Sequence, residues 1–176
     1  MMEARIIDNS IEISHYPFNR FFFKKRIIQD NEINFIKLNT DIVSICINSN
    51  EIIFIPIIYS EQINQFAKRF NLVLSDKVDV WELICFPYVD TNRTEEELSQ
   101  NMKALNDLSF TEQELGQIRK KIKGFIKWWV AFSMEFVSIT HYDVLLARRN
   151  IYFFNPFYKR FYWYTMRVAL KGFGIN

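Results

Sequence analysis

Glycine is scarce in this chain, with four in 176 residues, and Gly116, Gly124, Gly172 and Gly174 all stand in its helix-rich second half. None forms a glycine-rich turn after a strand, so a phosphate-cradling loop is excluded. Cysteine is scarcer still. Cys46 lies in ICI and Cys85 in ICF, apolar settings that read as buried, reduced thiols without a partner at metal-ligand spacing. His15 and His141 are the only histidines, and no HxxxH or CxxC spacing occurs. We therefore expect no metal and no cofactor.

Long apolar runs are missing too. The richest stretch, Phe125 to Ile139, is interrupted by Lys127, Ser133, Glu135 and Ser138, short of the roughly 20 apolar residues a bilayer span needs. The N-terminal MMEARIIDNSIEIS carries acidic residues where a signal peptide requires a positive start and an apolar run. The expectation is a cytoplasmic protein with no transmembrane segment.

What the chain does hold is apolar and aromatic. At 49% hydrophobic and 17% aromatic it can bury a sizeable core as one domain or two small units. Its leaning on Ile, Phe, Asn and Lys follows AT-rich codons and points to a bacterial genome of that kind. Charge is segregated along the chain. Residues 1–78 hold nine acidic and nine basic side chains, 79–117 nine and two, and 118–176 two and eleven, for nets of 0, −7 and +9. Such a layout means either a basic working surface or an acidic helix lying beside a basic one.

The first seventy residues read as strands. Ile11 and Ile13 alternate with Glu12 and Ser14, and Arg20–Ile28 sets Phe21, Phe23 and Ile27 against Arg20, Lys24 and Arg26. INFIKL, IVSICIN and EIIFIPIIY follow. The dividers at 29–32, 39–41 and 48–50 are short and rich in Asn and Asp, which take left-handed turns in place of glycine. Gaps this short favour an antiparallel meander of about five strands. The last strand is apolar on both faces and ends near Pro56, and a helix capped by Ser60 carries Ile63, Phe66, Ala67 and Phe70 on one stripe. A short-strand meander closed by one amphipathic helix resembles the architecture of small pleckstrin-homology-like (PH-like) domains.

Helices fill the rest. Asp79 with Glu82 reads as a capped turn carrying Trp81, stopped by Pro87. Thr94 with Glu97, Thr111 with Glu114 and Thr140 with Asp143 are capping boxes, the second with Phe110 and Leu115 as a hydrophobic staple. The first of these helices should turn Leu98, Met102 and Leu105 inward. From Thr111 to about Ile139 the periodicity predicts one long helix whose second half, with Trp129 on the seam and Trp128 beside it, is buried on several sides. A final helix should open with Asn155 and Pro156 and end at Gly172, with Phe157, Phe161, Thr165 and Val168 together.

Candidate chemistry is thin. His141 with Asp143 or Glu82 could act as an acid–base pair in a hydrolase-type site, yet the capping box already employs Asp143. His15, on the face of Ile11 and Ile13, reads as a core-edge histidine. The acidic run Glu95–Glu97 suits a helix first turn. Basic and aromatic residues interleave in RFFFKKR at 20–26 and again across 157–171. Both nucleic-acid and protein interfaces use that mixture. The candidate binding residues are Arg20, Lys24, Arg26, Arg160, Trp163, Tyr164, Arg167 and Lys171.

The expectation is therefore an α+β chain: residues 1–75 as an antiparallel sheet with a covering helix, and residues 76–176 as a helical half around one central buried helix. It is expected to be a non-catalytic binding or protein–protein interaction module, self-associating through its aromatic C-terminal helix. Nucleic-acid binding is the alternative, and an enzyme using His141 the third reading.

Overall fold

A computed structural model describes residues 2–18, 25–39, 41–89, 93–133, 138–151 and 157–175. The chain forms two compact units, Met1–Lys77 and Val78–Asn176, the first of strands with one helix and the second of helices.

In the first unit β1 (Glu3–Ile7), β2 (Ser10–Ser14) and β3 (Lys25–Gln29) form one antiparallel sheet, and β4 (Ile33–Leu38), β5 (Ile42–Ile47) and β6 (Glu51–Pro56) form another. Two three-stranded sheets thus replace the single meander of about five strands. The break falls where β3 passes through a 3-10 turn, Asp30–Glu32, whose Glu32 carboxylate accepts the Gln29 amide at 2.8 Å. Tight turns use Asp8, Asn48 and Ser49 at φ 49°, 49° and 55°, so short polar side chains take the left-handed role in place of glycine.

Side chains of β3 and of the stretch that follows β2 tie the two sheets. The Phe54 amide donates to Tyr16 Oη at 3.3 Å, and Phe18 meets Phe54 edge-on. Arg26 of β3 pairs with Glu51 of β6, which is buried. Strand β6 is buried from Glu51 through Ile55, as a doubly apolar strand should be, and ends at Pro56. Helix α1 (Ser60–Arg69) buries Ile63, Phe66 and Ala67; it begins at Ser60, without the side-chain cap expected there. Residues 73–75 lie along the edge of β4, with the Ile36 amide donating to the Val73 carbonyl and the Ser75 amide to the Ile36 carbonyl, both at 2.8 Å. That contact covers an edge which would otherwise offer unpaired backbone groups.

Two expected strand positions are corrected. Ile28, not Ile27, faces the core: Ile28 is fully buried and Ile27 is 51% exposed. Arg26 follows Ile28 inward because alternation puts residues two apart on one face. His15 lies beyond the end of β2 at φ 55° and is exposed, so it is a turn residue, not a core-edge one.

In the second unit α2 (Val80–Val89), α3 (Glu95–Asp107), α4 (Glu112–Ser133), α5 (His141–Ile151) and α6 (Phe157–Gly172) pack around α2, which touches the other four. The central helix is therefore α2 and not the longer α4. Its sequence VWELICFPYV has one charged residue, and Val80, Trp81, Ile84, Cys85 and Val89 are buried. A short helix apolar on all sides belongs in the middle of a bundle.

Pro87 lies inside α2 and does not stop it. Proline has no amide hydrogen to give the carbonyl four residues back and crowds the turn before it. Here neighbouring helices supply the donors. Asn101 Nδ2 of α3 donates to the Leu83 carbonyl at 3.0 Å, and Arg119 Nε of α4 donates to the Ile84 carbonyl at 3.2 Å. Tyr88 Oη in turn donates to the Arg119 carbonyl at 3.2 Å.

The boxes at Thr94/Glu97, Thr111/Glu114 and Thr140/Asp143 all form. Leu98, expected inward on α3, is 37% exposed, whereas Leu105 and Asn101 are buried. At the far end of α6, a Cβ built on Gly172 would stand 2.6 Å from Val80 Cβ, so α2 and α6 approach there as only glycine permits.

Candidate functional site

His141 is the residue on which an enzyme reading turned. It opens α5 and is 1% exposed, with its ring stacked on Trp81 at 5.8 Å and 20° between planes. Burial pushes its pKa down to about 3, which holds the imidazole neutral. Its backbone amide donates to Asp79 Oδ2 at 2.8 Å, while Asp79 Oδ1 takes the Trp81 amide at 3.0 Å. One buried carboxylate thus joins the starts of α2 and α5. Asp143 accepts from the Thr140 amide and hydroxyl at 2.8 and 2.7 Å, and Glu82 sits in the first turn of α2. Nothing in this arrangement presents the imidazole to a dissolved substrate. The thiols are equally withdrawn: burial raises the Cys46 pKa to about 12 and raises that of Cys85 well above its ordinary value.

A different surface emerges where α4 and α6 run side by side. Glu114 of α4 pairs with Lys171 of α6 at 2.8 Å; Lys121 lies over the Tyr164 ring at 4.0 Å; Phe125 meets Phe161 edge-on at 5.4 Å. As the α4 number rises the α6 number falls, so the two helices are antiparallel. The α4 partners fall seven and then four residues apart, a single helical stripe that Trp128 and Phe132 continue. On α6 the partners step back by seven and three, and Phe157 is one further turn along. Extending the register sets Phe157 opposite Trp128. All three are large and open: Trp128 is 45%, Phe157 59% and Phe132 69% exposed, with the Trp128 and Phe132 rings 4.4 Å apart. Along the described part of α4 beyond Ile126, Trp129 and Val130 are half-buried and Trp128 and Phe132 exposed, so the wrapping expected there is partial; residues 134–137 of the expected helix lie outside the described residues.

Cations border this seam. Lys120, Lys123 and Lys127 are exposed on α4, as are Lys159, Arg160 and Arg167 on α6. Residues 115–133 hold five Lys or Arg and residues 157–175 hold four, and neither stretch contains a carboxylate. The acidic first turns of α3 and α4 account for much of the opposite charge.

The expected binding residues divide accordingly. Arg160 and Arg167 are exposed and share an outward stripe of α6 with the half-buried Trp163, which packs edge-on against Tyr162. Tyr164 and Lys171 are engaged in the seam, where Lys171 also lies 4.6 Å over the Phe110 ring and holds the Glu114 carboxyl down at about 2. Arg26 is held by Glu51 within the first unit. Arg20 and Lys24 lie outside the described residues, as do Phe21, Phe23 and the Asn155–Pro156 cap. The sequence reading missed Trp128, Phe132 and Phe157 as surface residues. Their apolar periodicity was legible, but the place where their helical neighbour stops was not. The spacing of Lys120, Lys123 and Lys127, three and four apart opposite the buried face, was the available signal.

No protein-family model, no curated protein and no solved structure matches this chain. No helix among the described residues is long and apolar enough to cross a membrane, and no cluster of metal-ligating side chains occurs among them.

Proposed function

We propose that the chain is a non-catalytic binding module whose working surface is the outward face of α4 and α6, made for an acidic partner surface. The carrying observation is that α4 and α6 expose Lys120, Lys123, Lys127, Lys159, Arg160 and Arg167, with no carboxylate in either helix beyond the first turn of α4. Such a face raises the local concentration of an anionic partner and orients it. Supporting the non-catalytic part is the burial of His141 and the capping duty of Asp143. Self-association through the aromatics of α6 has less behind it, since Tyr162 is buried and Tyr164 is covered by Lys121.

The test is retention on an immobilised polyanion. The wild-type chain should elute at higher salt than the Arg160→Glu/Arg167→Glu variant, whose side chains are exposed and whose fold should be unchanged. Equal elution of the two sinks the proposal.

Nucleic acid is a second reading with its own observation: Trp163 stands between Arg160 and Arg167 on one stripe, an aromatic between two guanidiniums as single-strand binders use. It calls for affinity that falls steeply with salt, and for Arg160→Ala/Arg167→Ala to weaken all sequences alike. For the first unit we keep the pleckstrin-homology-like likeness as a proposal of architecture alone, supported by short antiparallel strands followed by α1.

A further inference from the structure

We propose that residues 72–76 form an open sheet edge at which a second copy of this chain docks, the two copies pairing antiparallel about Leu74 so that each Leu74 amide donates to the Leu74 carbonyl of the other. This edge belongs to the first unit and is independent of the α4–α6 reading.

The backbone beside β4 carries it. Val73 and Ser75 turn their groups inward to Ile36, the Val73 carbonyl accepting the Ile36 amide and the Ser75 amide donating to the Ile36 carbonyl, both at 2.8 Å. Leu74 is the residue bridged to Ile36, and its own amide and carbonyl point the opposite way. Among the described residues nothing pairs with either group. Residues 73–75 therefore close the edge of β4 and present a new edge of their own.

Side chains set this edge apart from the others of the unit. A sheet edge left to water is normally blunted by charge or covered. The outer strands of the first sheet, β1 and β3, expose Glu3, Arg5 and Lys25, and β6 is buried along residues 51–55. Residues 72–75 hold no charge and no proline, and Val73 and Leu74 are 62% and 49% exposed. Open apolar side chains beside unpaired backbone groups are what strand addition uses.

Symmetry selects the occupant. A residue whose amide and carbonyl both face outward is complementary to itself under two-fold rotation, which gives an isologous pair. The register sets the two Leu74 residues side by side, Val73 opposite Ser75, Asp76 opposite Leu72 and Lys77 opposite Asn71, so no two like charges meet. The contact is small, which makes the dimer weak and concentration-dependent.

Sedimentation of the full chain over a range of concentrations provides the test, with thiol cross-linking as a second readout. The wild-type chain should pass from monomer toward dimer as concentration rises. Leu74→Pro removes the amide in both copies while leaving the bonds of Val73 and Ser75 to Ile36 in place, and should weaken dimerisation by at least about tenfold. Leu74→Lys keeps the amide but sets two ammonium groups side by side, and should weaken it as well. Hydrogen-bonded partners across antiparallel strands have Cα atoms about 5.5 Å apart, within reach of a disulfide, whereas the two Val73 residues stand beyond the limit of about 7 Å. Copper phenanthroline should therefore link the Leu74→Cys chain and leave the Val73→Cys chain, altered at the more exposed position, largely unlinked. Cys46 and Cys85 are buried and take no part. Unchanged circular dichroism verifies the fold of each variant, and Leu74→Lys carries the test where Leu74→Pro does not fold.

A chain that stays monomeric at its highest soluble concentration overturns the proposal. So does dimerisation that Leu74→Pro and Leu74→Lys leave unchanged, or cross-linking of Val73→Cys as fast as that of Leu74→Cys. Retention on a polyanion stands or falls separately, because Arg160 and Arg167 lie in the second unit.

Discussion

His141 shows how one buried side chain sets a pH dependence. The unfolded chain binds a proton at this histidine near pH 6.5, whereas in the folded chain burial lowers the pKa to about 3. Between these values the unfolded state holds more protons, so stability is complete above pH 6.5 and falls as the pH drops below it. Glu114 contributes stability above its ordinary carboxylate range and loses it only as pH falls from about 4.5 toward 2, so the window from pH 6.5 to 4.5 belongs to His141. Urea titrations there should show stability declining by up to about 1.4 kcal/mol per pH unit, and His141→Gln should flatten the slope. An unchanged slope would show that the imidazole is protonated in the folded chain. Gly172 poses a steric question at the same scale. Because a Cβ there would lie 2.6 Å from Val80 Cβ, Gly172→Ala should lower stability by about 1–3 kcal/mol in urea titrations, and Val80→Ala should not rescue it, since alanine keeps that Cβ.

At the level of elements, α2 depends on its neighbours for what Pro87 removes. Leu83 has its carbonyl satisfied by Asn101 and Ile84 by Arg119, so side-chain donors from two helices stand in for the amide hydrogen that proline lacks. Asn101→Ala should cost about 1–2 kcal/mol in the wild-type background. With Pro87→Ala in place, residue 87 regains an amide that can serve Leu83, and the cost of Asn101→Ala should fall to less than half. Chemical denaturation of the four-chain cycle measures the coupling; simple additivity would argue against the repair. Helix α4 offers the reverse case. A Cβ at Gly124 would meet nothing within 4 Å, so Gly124→Ala should raise the melting temperature, by about 0.5–1 kcal/mol of added stability.

Over the whole molecule, the charge layout takes on spatial meaning. The acidic block falls largely in helix-opening turns, and nine of the eleven cations of the basic block lie on α4 and α6, with Arg148 and Arg149 on α5. Lys171 with Glu114 ties α6 to α4, and that pair lies in the seam. Lys120, Lys123, Lys127, Arg160 and Arg167 stand exposed, where a partner can meet them. Screening predicts that any partner held by them dissociates as salt rises to about 0.5 M, where the Debye length is only about 4 Å. Binding insensitive to that change would place the affinity in the rings alone.

The sequence by itself determined what is local. Three capping boxes, the left-handed turns at Asn48 and Ser49, and the end of β6 at Pro56 each depend on residues within a few positions of one another. Tertiary structure decided everything that needed a partner from elsewhere in the chain. Ile27 and Ile28 are equally apolar, and the inward turn of Arg26 to Glu51 accompanies the choice of Ile28 for the core. Pro87 reads as a helix stop until Asn101 and Arg119 arrive from other helices. Trp128 and Phe132 read as core because periodicity reports that a face is apolar but not how far its cover extends, and that reach is set by where α6 begins.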